Sequence, residues 1–268
     1  MSEMTPSSVP ASSADECPPA AQPRIGFDLF FTLVWPALAA VSLSVAVGGR
    51  DVSRLGLLSV ATGTMAAYGL DRLVDRRGRD VPRLRRALIA CVAVAMIVAA
   101  GLAFTASWRF QVCAVLAVIA GAYVPLKRFI PKNVLTVFAW TAATSTLPFT
   151  VRPELEATYI ASVLAVAAIM AANTVICDLP DVEADRRAGV VGITPMLGVR
   201  AGVVAAATFG AVGVFAAGAV QRYGLAATAC CLVVIAVLHV RAKGHGILRL
   251  VADGVVVVVP GPMALLFR

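Results

Sequence analysis

The chain has 268 residues, of which 60% are hydrophobic and 14% charged, with a mean hydropathy of +0.88. Such a composition excludes a soluble domain and reads as an all-α, polytopic membrane protein. The formal charge of +8 does not point to nucleic acid, because the basic residues form short clusters between apolar runs, where membrane topology accounts for them.

Residues 1–23 are rich in Ser, Pro and Ala and lack the basic-then-apolar order of a signal peptide, so they read as a disordered tail ahead of a membrane domain over 24–268. Apolar spans are predicted at 26–48, 55–70, 87–106, 109–125, 133–151, 158–178, 199–220, 224–240 and 247–267, nine in all. Several are near the minimum for crossing about 30 Å of hydrocarbon. The loops after the even-numbered spans hold the basic clusters, among them Arg72, Arg76, Arg77, Arg79, Lys127, Arg128, Lys132, Arg186, Arg187, Arg241 and Lys243. The opposite loops hold only Arg50, Arg54, Arg109, Arg152 and Arg222. Positive-inside asymmetry therefore places the N-terminus and the basic loops in the cytoplasm and the C-terminus outside. Cys91, Cys113, Cys177, Cys230 and Cys231 lie in or beside apolar runs without zinc-ligand spacing, and read as packing residues.

The span at 158–178 ends in Cys177-Asp178-Leu179-Pro180-Asp181-Val182-Glu183-Ala184-Asp185-Arg186-Arg187, a concentration of acids beside lipid. An isolated intramembrane acid costs at least a few kcal/mol, so acids at such a place line a polar cavity or bind a cation. In one continuous helix Asp178, Asp181 and Asp185 would share a narrow stripe. If Pro180 breaks the helix, Asp178 ends one segment and Asp181 and Asp185, four apart, share a face of the next. The pattern occurs earlier as Asp71-Arg72-Leu73-Val74-Asp75-Arg76-Arg77, four spans away, which reads as an internal four-helix repeat with both acidic stripes on one membrane face. Two facing carboxylate pairs suit hard divalent cations such as Mg2+. The competing explanation is a set of solvated salt bridges to the neighbouring arginines.

Other polar positions carry weaker signals. Tyr123 and Lys127 lie four apart on the same membrane face as the acids and offer a hydroxyl and an ammonium to phosphate oxygens, although an interfacial tyrosine and a snorkelling lysine explain them equally. Asn173 is a cavity donor or a helix-to-helix hydrogen bond. Asp253 is expected to pair with Arg249 near the interface, Asp80 is an outer group or an arginine partner, and His239 and His245 have no neighbouring ligand set. Phe27, Phe31, Trp35, Phe138, Trp140 and Phe149 are expected to pack or to anchor the interface, with a pocket wall as the alternative.

The sequence from Asp178 through Asp181, Glu183, Asp185, Arg186 and Gly189 to Gly192-Ile193-Thr194-Pro195-Met196-Leu197-Gly198 resembles the second aspartate motif and trailing loop of the UbiA superfamily of intramembrane prenyltransferases. Tyr123-x-x-x-Lys127 resembles that family's Y-x-x-x-K element. Asp71-x-x-x-Asp75 resembles the latter part of its first motif, N-x-x-x-D-x-x-x-D, with Ala67 in place of the Asn and Tyr68 following.

The resemblance implies about nine helices around a central cavity open to the cytoplasmic side, in a multi-pass protein of the bacterial inner membrane. It implies that two Mg2+ ions, held by Asp71 and Asp75 on one side and Asp178, Asp181 and Asp185 on the other, bind an allylic prenyl diphosphate. The metals and Lys127 would neutralise the departing diphosphate, and an aromatic or lipid-like acceptor would capture the carbocation. Arg72, Arg128 and Arg186 are diphosphate contacts on this view, with positive-inside topology as the competing explanation for each. An intramembrane cyclase acting on a prenyl diphosphate and an inactive lipid-binding protein are the alternatives. A cation transporter fits less well, because the acids lie at span ends and not in mid-membrane.

Overall fold

The computed structural model describes residues 25–49, 51–75, 82–126, 129–239 and 245–266. The expected tail over 1–23 lies outside the described residues, as do Asp80, Lys127, Arg128 and the side chains of Asp75, Tyr123, His239, His245 and Arg249.

Helices α1 (Ile25–Leu29) and α2 (Trp35–Gly48) are joined by a π-helical turn over Phe30–Val34. Pro36 near the start of α2 explains the wide turn: it has no N–H to donate, and its ring would crowd the carbonyl four residues back in a regular helix. There follow α3 (Arg54–Asp75), α4 (Pro82–Ala103), α5 (Ser107–Leu126), α6 (Lys132–Thr146) and α7 (Ala157–Asp178). A 3-10 turn over Leu179–Asp181 and the short helices α8 (Val182–Arg187) and α9 (Ile193–Leu197) lead into α10 (Val199–Ala219), α11 (Tyr223–His239), α12 (His245–Val258) and α13 (Pro260–Leu266). No strand occurs among the described residues, only an isolated bridge between Val52 and Phe149.

By length and composition, four helical segments among the described residues suffice to cross a membrane: Ile25–Gly48, Pro82–Ala103, Ala157–Arg187 and Val199–Ala219. Three shorter apolar helices, Ser107–Ala122, Tyr223–Leu238 and Leu250–Leu266, accompany them. Large apolar side chains such as Ile97, Val118 and Phe215 are outward and exposed, the opposite of a water-soluble surface.

Helices α2, α7, α10 and α11 supply most of the core, with Leu43, Val166, Ile169, Ile176, Leu225 and Leu232 fully buried. Glycine sets how closely α10 approaches its neighbours. A Cβ on Gly210 would meet Val233 Cγ2 at 2.6 Å, and one on Gly202 would meet Thr194 Cγ2 at 2.6 Å and Leu179 Cδ2 at 2.9 Å. The second of these packs α10 against the turn that carries the acidic motif.

The chain connections sort to two ends. Arg109, at the start of α5, donates to Ser53 Oγ at 3.2 Å and to the carbonyl of Phe149, gathering the α2–α3, α4–α5 and α6–α7 connections at one end. The end of α3, the start of α6 and the end of α7 meet at the other, where Arg72, Lys132 and Asp178 line one cavity.

Candidate active site

The acidic motif adopts the broken arrangement that Pro180 allows. Helix α7 stops at Asp178, the 3-10 turn follows, and α8 starts after Asp181, whose φ of −98° and ψ of 3° lie outside the helical region. The break separates the three aspartates. Asp178 and Asp185 turn toward each other, and Lys132 from α6 sits between them, its Nζ 2.9 Å from Asp178 Oδ1 and 2.6 Å from Asp185 Oδ2. Asp181 is not part of that contact.

Neighbouring groups hold this ion triad in place. Asn133 donates from Nδ2 to Asp178 Oδ2 at 2.9 Å and accepts at Oδ1 from the Ile193 amide at 3.4 Å. The Lys132 amide donates to the Val191 carbonyl at 3.0 Å, so the start of α6 is fastened to the loop behind the motif by backbone and side chain together. Lys132 precedes the apolar run of α6. Burial pushes its ammonium down, but Asp178 and Asp185 outweigh burial, and its pKa lies above the ordinary lysine value.

Below this polar end lies a cavity of about 230 Å³. Its walls include Phe31, Trp35, Tyr68, Trp140 and Met170, and its polar groups include Arg72, Lys132, Asn133, Asn173, Cys177, Asp178 and Asp253 along with three threonines, Thr32, Thr136 and Thr174. Tyr68 and Trp140 meet edge to face with ring centroids 5.9 Å apart, and Trp140 Nε1 donates to the Tyr68 hydroxyl at 3.2 Å. Phe31, Trp35 and Trp140 are therefore wall residues, whereas Phe27 and Phe138 are exposed and Phe149 lies at the far end beside Arg109.

Arg249, the partner expected for Asp253, has its side chain outside the described residues, and the contacts that are described come from α7. Asp253 faces α7 across the cavity, its Oδ1 accepting from Asn173 Nδ2 at 3.2 Å and from Cys177 Sγ at 3.3 Å. Asn173 and Cys177 are four apart and share a face of α7, so one carboxylate meets both. Asn173 is thus both a helix-to-helix donor and a wall group, and Cys177 is more than packing.

The other anticipated residues fall in several places. Arg72 lines the cavity at its polar end. Asp71, one residue earlier on α3, is half-buried. Arg186 turns outward, 2.7 Å from Glu183 Oε1, and donates from Nε to the Pro195 carbonyl at 3.2 Å, the solvated salt bridge of the competing explanation. Ala67 is exposed, and it is Tyr68 beside it that reaches the cavity. Among the described residues no three acidic, His or Cys side chains cluster tightly enough to hold a metal.

Sequence order gave no signal for Lys132, Asn133 and Asp253 as site residues. A lysine beginning a span resembles any positive-inside residue, and only the packing of α6 against the end of α7 gives it a role.

A UbiA homologue from Aeropyrum pernix K1, solved in its apo form, superposes with a TM-score of 0.60 over 91% of this chain and 98% of that one, at 16% identity. The chain has the UbiA fold. A second solved structure, concerning digeranylgeranylglyceryl phosphate synthase in membranes, gives a TM-score of 0.58 over 90% of this chain and 94% of that one, at 10% identity. No protein-family model and no curated protein sequence matches. The UbiA fold is thus carried here by helix arrangement at sequence distances where the side chains have largely diverged.

Proposed function

We propose that the protein transfers a prenyl group from an allylic prenyl diphosphate to an aromatic or lipid-like acceptor within the membrane. The observation that carries this is the division of one cavity: Arg72, Lys132, Asn133 and Asp178 at one end, and Phe31, Trp35, Tyr68, Trp140 and Met170 along its walls. A diphosphate needs the first and an isoprenoid chain the second. The UbiA fold supports the same reading, as does the digeranylgeranylglyceryl phosphate synthase named for the second similar structure. On this reading the protein has nine spans and lies in the bacterial inner membrane, with the basic loops and the polar end of the cavity facing the cytoplasm.

The carboxylates fit Mg2+ in donor chemistry, because Asp178 and Asp185 already converge on a single cation, the Lys132 ammonium. Asp71, Asp75, Asp178, Asp181 and Asp185 are the residues that would hold it. Bound Mg2+ would supply charge neutralisation for the departing diphosphate. Arg72 and Lys132 would add positive charge at the same end, and the apolar walls would keep bulk water from the allylic carbon. Asn133 fixes the orientation of Asp178 throughout.

The test is equilibrium binding of geranyl diphosphate and longer prenyl diphosphates to the purified protein with Mg2+ and with chelator. Binding that requires Mg2+, and slow diphosphate release when an acceptor is present, are the expected results. Absence of binding across chain lengths would leave a lipid-binding or structural protein on this fold.

A further inference from the structure

Resting on the prenyl-transfer reading, we propose that Asp253 is the proton acceptor for the incoming nucleophile, its carboxylate receiving the hydroxyl hydrogen of a flat, hydroxylated acceptor lodged between Trp35, Tyr68 and Trp140. Asp253 lies on α12, outside both acidic motifs, and its two α7 partners hold it by one oxygen. Asn173 and Cys177 donate to Oδ1, while Oδ2 receives no hydrogen bond among the described residues. The amide orientation of Asn173 follows from chemistry: turned over, its carbonyl would face the carboxylate.

Two residues of the cavity wall also carry buried polar atoms that lack partners among the described residues. Asn173 is 7% exposed, and its Oδ1 is buried with no hydrogen bond; the buried Trp35 Nε1 is likewise unpaired. Both residues line the cavity. A buried polar atom without a partner is costly, and native proteins usually satisfy it with a ligand or water. A carboxylate acceptor beside aromatic faces matches a ring that carries a hydroxyl. Arg72 and Lys132 line the same cavity and match the diphosphate, so the two substrates would share it.

In the transfer step the allylic C–O bond breaks and its electron pair leaves with diphosphate. A lone pair on the acceptor oxygen forms the new bond to the allylic carbon, and the hydroxyl proton passes to Asp253 Oδ2. Diphosphate carries away the negative charge that the allylic carbon releases, and Asp253 is left neutral until it returns its proton to water.

The experiment uses the purified full-length protein and the quenching of its tryptophan fluorescence by 4-nitrophenol and by 4-nitroanisole, which lacks the hydroxyl. The buffer is kept below the phenol's pKa so that both probes are neutral. Wild type should bind the phenol more tightly by about tenfold or more, the scale of one hydrogen bond to a charged acceptor, and Asp253→Asn should lose that preference. Equal binding of the two probes by wild type, which needs no variant to fold, would overturn the proposal. So would a preference that survives in Asp253→Asn. Geranyl diphosphate binding by the same wild-type sample separates the two readings. Equal probe binding with intact diphosphate binding removes the Asp253 assignment alone. An Asp253-dependent preference without any diphosphate binding supports the hydroxyl site and removes prenyl transfer.

Discussion

Lys132 and Asp185, 53 residues apart in sequence, approach to 2.6 Å, and the same ammonium reaches Asp178 at 2.9 Å. One lysine thus closes the second acidic motif by occupying the point at which its two carboxylates converge. Lys132→Met leaves the acids together without that cation, with an expected loss of about 1–3 kcal/mol of stability. Mg2+ should then raise the melting temperature of the variant by more than that of wild type, because the ion fills a position the ammonium has left. Equal Mg2+ responses of the two proteins would show that the convergence point is not a metal position.

Removal of single carboxylates tests the proposed chemistry. Asp75→Asn and Asp181→Asn should each slow diphosphate release by on the order of a hundredfold or more, equivalent to a few kcal/mol of charge stabilisation. Chelator should abolish the reaction and Mg2+ restore it. Near-wild-type rates in both variants would leave the two-motif model without support.

Much of the arrangement was legible in the sequence, and the exceptions have a common cause. The helix positions followed from apolar runs, and the two outcomes considered for the second motif differed only in whether Pro180 broke the helix; the break is what occurs. These are local properties. The partners described for Asp253, Asn173 and Cys177, are contributed by α7, and no local pattern around Asp253 points to them. Lys132 and Asn133 were hidden for the same reason, since a residue's role in this cavity depends on which helix packs opposite it.

Orientation can be tested by labelling from each side of the membrane. In an otherwise cysteine-free protein, Ala188→Cys, just past α8 at the motif end, should react with an impermeant thiol reagent only from the cytoplasm. Val151→Cys, exposed in the α6–α7 connection at the opposite end, should react only from outside. Labelling of both from one side would contradict the proposed topology.

Packing between α10 and the motif turn links stability to the site. Gly202→Ala places a methyl where Thr194 and Leu179 already stand, and overpacking of this kind typically costs about 1–3 kcal/mol. Because Leu179 directly follows Asp178, thermal stability and Mg2+-dependent prenyl diphosphate binding should fall together. Stability lost with binding unchanged would show that the turn adjusts independently of the acids.

Ala67 is where the first motif departs from the family pattern, and the face on which it lies decides what restoring the Asn would do. Ala67, Leu70 and Val74 are all exposed and, at i, i+3 and i+7, share one stripe of α3. Tyr68 and Arg72, four apart, share another stripe and line the cavity. An amide at position 67 would therefore join an apolar outer stripe and not the polar end of the cavity. Ala67→Asn should change Mg2+-dependent prenyl diphosphate binding by less than about twofold, well under the effect of gaining a hydrogen bond to a charged group. Tyr68→Phe should act differently, because it deprives Trp140 Nε1 of its acceptor in a largely buried wall, with an expected cost of about 1–3 kcal/mol in stability. A severalfold gain in binding on Ala67→Asn, with Tyr68→Phe neutral, would mean that α3 presents its 67, 71 and 75 stripe to the diphosphate and that Tyr68 does not shape the wall.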